Sequence, residues 1–83
     1  MQRMFQRGLT VKEVQEVIED GDIITDYPDD VPFPSYLMLH WINDRPIHVV
    51  LALDAENQRC LVVTAYVPHL SQWHPDFRTR RKP

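Results

Sequence analysis

Apolar residues recur at helical spacing in one segment near the start of the chain. Thr10 followed by Glu13 has the spacing of a capping box, and apolar positions then repeat three and four residues apart with acidic residues on the other face. Gly21 follows this segment, as is typical after a helix C-terminus. The pattern therefore predicts a helix that ends at Gly21. A shorter helical turn is predicted over residues 1–7, ended by Gly8.

Short β-branched and aromatic runs, separated by turn-forming residues, follow this helix. They predict strands over residues 22–27, 36–42, 46–53 and 60–67. The connections between them are too short for crossover helices, so the sheet is expected to be mainly antiparallel, with the helix packed on one face. The predicted fold class is α+β, with one main N-terminal helix on a sheet of about four strands.

The length of the chain, 83 residues, fits one modest core and predicts a single domain over residues 1–83. We divide it into a helical part (1–21), a sheet (22–67) and a basic, aromatic tail (68–83) in which Trp73 and Phe77 dock. No apolar run is long enough to cross a membrane. The single cysteine closes no disulfide within the chain and favours a reducing compartment, so a soluble, cytoplasmic protein is expected.

The net charge of −3 is unevenly distributed along the chain. Residues 1–44 sum to −6 and residues 45–83 to +3. This excludes the uniformly basic surface that is typical of nucleic-acid-binding proteins, but a local basic region could still bind phosphate. The cations available for it lie near the two ends of the chain: Arg3, Arg7, Arg80 and Arg81.

The alternation of side chains along a strand predicts which residues share a face of the sheet. If the turn after the third strand places Leu53 near Arg59, His48 lies opposite Thr64, and Tyr66 lies on the same face. The opposite face then packs on the helix. Its predicted members are Ile47, Val49, Leu51, Val63 and Ala65.

The sequence gives no indication of a cofactor or a metal ion. Its only glycines, Gly8 and Gly21, form no glycine-rich phosphate loop. The histidines and Cys60 lack the spacing of a zinc site. We therefore expect neither a nucleotide cofactor nor a bound metal.

Three motifs give the chain a family resemblance. They are Tyr-Pro-Asp-Asp at residues 27–30, Pro-Ile-His-Val-Val at 46–50 and Thr-Ala-Tyr-Val-Pro at 64–68. With these motifs the chain resembles a family of small prokaryotic proteins, classed as a domain of unknown function and often encoded beside a zinc-finger antitoxin of the YgiT or MqsA type. That family is distantly similar to the RelE and MqsR ribonuclease toxins.

The resemblance implies a curved antiparallel sheet that carries the active site of a toxin. It also implies RNA cleavage without a metal and an antitoxin protein as partner, for which the zinc-finger type is one candidate. Such cleavage needs an acid, a base and cations that stabilise the phosphorane. His48 would act as acid or base because its ordinary pKa is near neutrality, and Tyr66 would assist. Phosphate-binding roles are expected for Arg3, Arg7, Arg80 and Arg81.

Two non-catalytic interpretations of the same residues stay open. His48 is equally compatible with a strand histidine bonded to a backbone carbonyl, and Tyr66 with a core tyrosine whose hydroxyl is satisfied. The protein would then be a binding module that recruits a partner through the proline-rich loop between Tyr27 and Tyr36, or a homodimer formed through an edge strand.

Overall fold

One helix and one sheet form the fold, and a computed structural model describes them over residues 4–5 and 8–81. The elements in chain order are β1 (Met4–Phe5), α1 (Val11–Asp20), β2 (Asp22–Tyr27), β3 (Ser35–Ile42), β4 (Arg45–Asp54) and β5 (Arg59–Tyr66). The strand order in the sheet is β1-β5-β4-β3-β2. Strands β2 to β5 pair antiparallel, and β1 pairs parallel with β5. The predicted α+β fold, a helix on an antiparallel four-stranded sheet, is confirmed.

Both ends of α1 are fixed by local hydrogen bonds. The Thr10 hydroxyl accepts from the Glu13 N–H at 3.1 Å, and the Glu13 carboxylate accepts from the Thr10 N–H at 3.0 Å, which completes the predicted capping box. At the other end the Gly21 N–H donates to the Val17 carbonyl at 2.8 Å. A Cβ at Gly21 would lie 2.4 Å from that carbonyl oxygen and 2.9 Å from the carbonyl oxygen of Leu39. Glycine at this position therefore lets the helix end approach β3 closely.

The main core lies between α1 and the sheet. Val14 and Val17 of α1 are almost fully buried. The sheet residues that form this core with them are Met38, Ile47, Val49, Leu51 and Ala65. The apolar face of α1, which results from helical spacing, packs on the apolar face of the sheet, which results from the alternation of side chains along each strand.

The central strands also bury residues on their other face. Leu37 and Leu39 of β3 point away from α1 and are each 2% exposed. The segment after β5, residues 68–81, covers this second face, and its Trp73 is 6% exposed. The tail therefore docks as predicted and forms the layer that covers the face of the sheet opposite α1.

The helical turn predicted over residues 1–7 is wrong at the two positions that the structure describes. Met4 and Phe5 form a strand whose partners are Thr64 and Ala65. A single helical turn is costly to nucleate, and pairing with a free sheet edge satisfies backbone groups that the turn would leave open. Among the residues that the structure describes, the first helix is therefore α1.

The predicted pairing of His48 with Thr64 is also wrong, by two residues. His48 pairs with Tyr66, and Thr64 pairs with Val50. A shift of two positions keeps these three side chains on the same face, because side chains alternate with period two. The predicted grouping of His48, Thr64 and Tyr66 on one face is therefore confirmed.

An irregularity in β5 corrects the predicted core. The register shifts between Val50 and Leu51, so that Leu51 pairs with Val62 and one residue of β5 is left over. Val62 packs against the core, whereas Val63, which was expected there, is 47% exposed. The reason is that an extra residue reverses the alternation beyond it.

This correction predicts different effects for two valines. Val49→Ala should lower the free energy of unfolding by about 2 kcal/mol, because it empties a fully buried position. Val63→Ala should cost less than about 1 kcal/mol, because an exposed strand position loses only propensity and partial burial. Urea denaturation of the two variants checks this; equal losses would place Val63 in the core after all.

Candidate functional site

The second face of the sheet is covered by a tail that has its own hydrogen bonds. Trp73 and Arg80 form an isolated antiparallel bridge. The Asp76 carboxylate accepts from the backbone N–H of Arg78 at 2.9 Å, and the Nε of Arg81 donates to the carbonyls of Leu70 at 2.5 Å and Trp73 at 3.0 Å. These contacts hold the tail in a defined shape over β4 and β5.

His48 lies between the sheet and this tail, and its exposed fraction is 0%. Its imidazole contacts two aromatic rings edge to face, that of Tyr66 with centroids 5.3 Å apart and that of Trp73 with centroids 4.5 Å apart. A polar ring enclosed in this way must have its nitrogens hydrogen-bonded, because an unsatisfied buried polar group is costly.

Both nitrogens of His48 have a partner, and the partners determine the tautomer. Nε2 lies 2.8 Å from the carbonyl oxygen of Phe77, and Nδ1 lies 3.2 Å from the hydroxyl of Tyr66. A carbonyl oxygen only accepts, so Nε2 carries the proton and donates it to Phe77. The unprotonated Nδ1 of neutral His48 consequently accepts from the hydroxyl of Tyr66.

The carbonyl that fixes this tautomer belongs to a residue with an unusual backbone. Phe77 has a φ of 54°, a left-handed conformation that is uncommon for a bulky residue. Its ring packs against Trp41 with centroids 5.5 Å apart. Such strain persists only where surrounding contacts impose it, and here it presents the carbonyl oxygen to His48.

The surroundings keep both members of the pair neutral at pH 7. Burial lowers the pKa of His48 below its ordinary value of 6.5, and the hydrogen bond to Phe77 opposes this only in part. Burial also raises the pKa of Tyr66, and Tyr27 adds to the rise, whereas Arg80 lowers it. His48 can therefore take up a proton, and Tyr66 has one to give.

The structure brings two of the predicted site residues into contact. His48 and Tyr66 are hydrogen-bonded, and the charge of Arg80 lowers the pKa of Tyr66. Arg81 instead uses its Nε to fasten the tail. The other two phosphate-binding candidates, Arg3 and Arg7, lie outside the described residues.

Three contributions to the site were not predicted. Trp73 and Phe77 were expected to dock the tail, but the contact of Trp73 with the His48 ring and the role of the Phe77 carbonyl were not. The effect of Tyr27, in β2, on the pKa of Tyr66 was not predicted either. No local sequence signal marks a backbone carbonyl as a ligand of a distant histidine; only the tail fold creates it.

Some of the other ionisable groups form separate pairs. The His40 imidazole lies 3.3 Å from the Glu16 carboxylate, and Cys60 is exposed. Over the part of the chain that the structure describes, no three His, Cys, Asp or Glu side chains converge as metal ligands, and no helix there is long and apolar enough to cross a membrane.

Comparison with family models identifies the chain. The model of the domain of unknown function DUF4258 matches residues 1–67. The chain belongs to this family. Searches of curated proteins and of solved structures gave no match. The DUF4258 match includes both His48 and Tyr66 and ends where the tail begins, so Trp73, Phe77 and Arg80 lie beyond it.

The buried histidine predicts how stability depends on pH. His48 in the unfolded chain becomes protonated near pH 6.5, whereas in the folded protein its lowered pKa delays protonation to a lower pH. The unfolded state therefore binds more protons below about pH 6.5, and the free energy of unfolding should fall as the pH drops below that value. Carboxylates with a lowered pKa, such as Glu13 and Asp54, also stabilise the folded protein, but this stabilisation is lost only below about pH 4.5.

Urea denaturation between pH 5 and 8, combined with an NMR titration of the His48 imidazole, separates the effect of His48 on stability from that of the carboxylates. The imidazole should titrate with a midpoint below 6.5. A midpoint at or above that value would show that water reaches the ring and that the tail does not enclose it.

Proposed function

We propose that this DUF4258 protein is a metal-independent endoribonuclease that acts in the cytoplasm as the toxin of a toxin–antitoxin pair. The observation that carries the proposal is the hydrogen bond from Tyr66 to the buried Nδ1 of His48, with the tautomer fixed by Phe77. A phenol held on a neutral imidazole is a unit that takes up and returns one proton. The resemblance to RelE and MqsR toxins supports RNA as the substrate.

Tyr66 rather than His48 is the group that meets the RNA. Tyr66 is half-buried, whereas His48 is fully enclosed by the tail. We therefore assign the direct acid–base role to the phenol of Tyr66. His48 acts through it as a positioning residue that holds the proton during the reaction, which modifies the direct role expected from the sequence.

The reaction transfers one proton in and one proton out. As the 2′-oxygen forms its bond to phosphorus, the 2′-hydroxyl proton passes to the Tyr66 oxygen and the phenol proton passes to Nδ1 of His48. The imidazolium keeps its Nε2 hydrogen bond to the Phe77 carbonyl. When the bond between phosphorus and the 5′-oxygen breaks, the proton returns through Tyr66 to that oxygen, leaving a 2′,3′-cyclic phosphate and a 5′-hydroxyl.

Cations for the phosphorane come from both ends of the chain in this proposal. Arg80 is the tail arginine that acts on Tyr66. Arg3 and Arg7 flank β1 in the sequence, and β1 runs beside β5, the strand of Tyr66. One guanidinium group can donate two parallel hydrogen bonds to two oxygens of a phosphate. Arginines near Tyr66 would therefore hold the scissile phosphate against its hydroxyl.

Removal of one hydroxyl tests the assignment. Wild-type protein should cleave labelled single-stranded RNA in EDTA and leave a cyclic phosphate, and Tyr66→Phe should slow this by about 100-fold or more, because it removes the proton-transferring group and keeps the ring. Circular dichroism and urea denaturation confirm that the variant is folded. Cleavage at the wild-type rate by Tyr66→Phe, or no cleavage by wild type, overturns the proposal.

The phosphate role is tested by a charge-matched pair of variants. Arg80→Gln should weaken RNA binding and reduce its salt dependence, because one phosphate contact and its released counterion are lost. Lys12→Gln removes the same charge from the exposed surface of α1 and should leave binding and cleavage unchanged. Equal effects of both substitutions would indicate only a general effect of net charge.

A pH profile distinguishes a proton-holding His48 from a merely structural one. Cleavage should decline as the pH falls through the lowered pKa of His48, so the acid limb should lie below 6.5. Protonated Nδ1 cannot accept the phenol proton. A rate that stays constant across the pH range in which NMR shows the His48 imidazole taking up its proton would exclude His48 from the proton transfer.

A non-catalytic protein-binding or dimerisation module is the second candidate. It is favoured by the outer position of β2 in the described sheet, since an edge strand offers unpaired backbone groups. Ile23 of this strand is 59% exposed. Absence of RNA cleavage by the folded wild-type protein would make this candidate the preferred one.

A further inference from the structure

An apolar groove lies on the face of the sheet that carries α1, away from His48. Its volume is about 430 Å³. The residues that line it are Ile18, Ile23, Tyr36, Met38, Leu51, Ala52, Leu53 and Cys60. None of these is charged, so the groove offers binding energy mainly through apolar contact.

The groove exists because α1 is shorter than the strands on which it packs. Strand β4 has 10 residues and spans about 33 Å, whereas the 10 residues of α1 span only about 15 Å. The helix covers the part of the sheet around Val49 and Ala65. The part around Tyr36 and Leu53 lies beside the helix, and a second helix would fit there as a parallel layer.

Two surface acids lie beside the groove. Asp26 of β2 pairs with Tyr36, which places its side chain on the groove side of the sheet. Glu56 follows β4 and borders a neighbouring depression together with Leu53, a residue of the groove. Both acids are on the surface, and neither has an ion-pair partner within residues 8–81. An occupant with cations beside its apolar face would therefore be complementary in charge.

We infer that this groove binds an amphipathic helix of a partner protein, whose apolar face is flanked by lysine or arginine. The inference does not depend on the ribonuclease proposal, because the groove and His48 lie on opposite faces of the sheet. The partner's apolar side chains fill the space beside α1, and its cations approach Asp26 and Glu56. Helix-in-groove recognition of this kind derives its affinity from a few apolar anchors.

The single cysteine of the chain reports on occupancy of the groove. Cys60 lines the groove and is exposed, so a thiol reagent should react with it freely in the unbound protein. The probe is a synthetic 14-residue helix with leucines on one face and lysines beside them. Saturating peptide should slow the reaction of Cys60 at least about tenfold, and a peptide with glutamate in place of each lysine should not.

Two pairs of variants test the contacts. Ile23→Asn removes an apolar groove contact and should lower the affinity for the lysine peptide about tenfold. Val31→Asn, at an 89% exposed loop position, should change this affinity less than about twofold. Asp26→Asn should lower the affinity for the lysine peptide about threefold. Asp44→Asn, in the turn at the other end of the sheet, removes the same charge and should leave this affinity unchanged.

The other outcomes overturn the inference. Equal protection by both peptides, or protection that Ile23→Asn leaves unchanged, would show unspecific binding. Absence of protection at any soluble concentration of the lysine peptide would show that the groove does not take such a helix. Protection that rises with protein concentration alone, together with a dimer in sedimentation, would assign the groove to a second copy of the chain.

Discussion

The two central strands are apolar on both faces, and this constraint shapes the whole molecule. Met38 and Val49 face α1, while Leu37 and Leu39 face the opposite side, and all four are buried. Apolar side chains on both faces of a sheet require two covering layers. Helix α1 supplies one, and the segment after β5 supplies the other, through Trp73. The tail is therefore a structural layer of the fold.

A histidine within the second layer links this architecture to the proposed chemistry. His48 is enclosed by apolar and aromatic groups, and its two hydrogen bonds bridge Tyr66 of β5 and the Phe77 carbonyl of the tail. The bonds that satisfy a buried imidazole also fix its tautomer and direct a phenol toward its free nitrogen. A core histidine and a proton-holding histidine have the same geometry here.

The two faces of the sheet have separate chemistry. The tail side carries the neutral His48–Tyr66 pair and the cation Arg80. The helix side carries an uncharged groove with acidic residues beside it. The division follows from the charge asymmetry along the chain, because the acidic N-terminal half forms α1 and β2 whereas the basic end forms the tail. An anionic substrate and a cationic partner would consequently approach from opposite sides.

The sequence by itself determined the elements that depend on local interactions. The capping box of Thr10 and Glu13, the end of α1 at Gly21 and the turn at Asn43 and Asp44, both with positive φ, follow from short-range chemistry. The α+β class and the shared face of His48 and Tyr66 follow from periodicity, which a shift of two residues leaves intact.

Only the tertiary structure decided the features that depend on distant partners. The pairing of Met4 and Phe5 with β5 replaces a local helical turn, and the extra residue at Val63 reverses an alternation that the sequence shows as regular. The carbonyl of Phe77 reaches His48 across 29 positions of the chain, through a backbone conformation that no propensity favours. Such contacts are invisible to local patterns because their energy comes from layers that form only when the chain has folded.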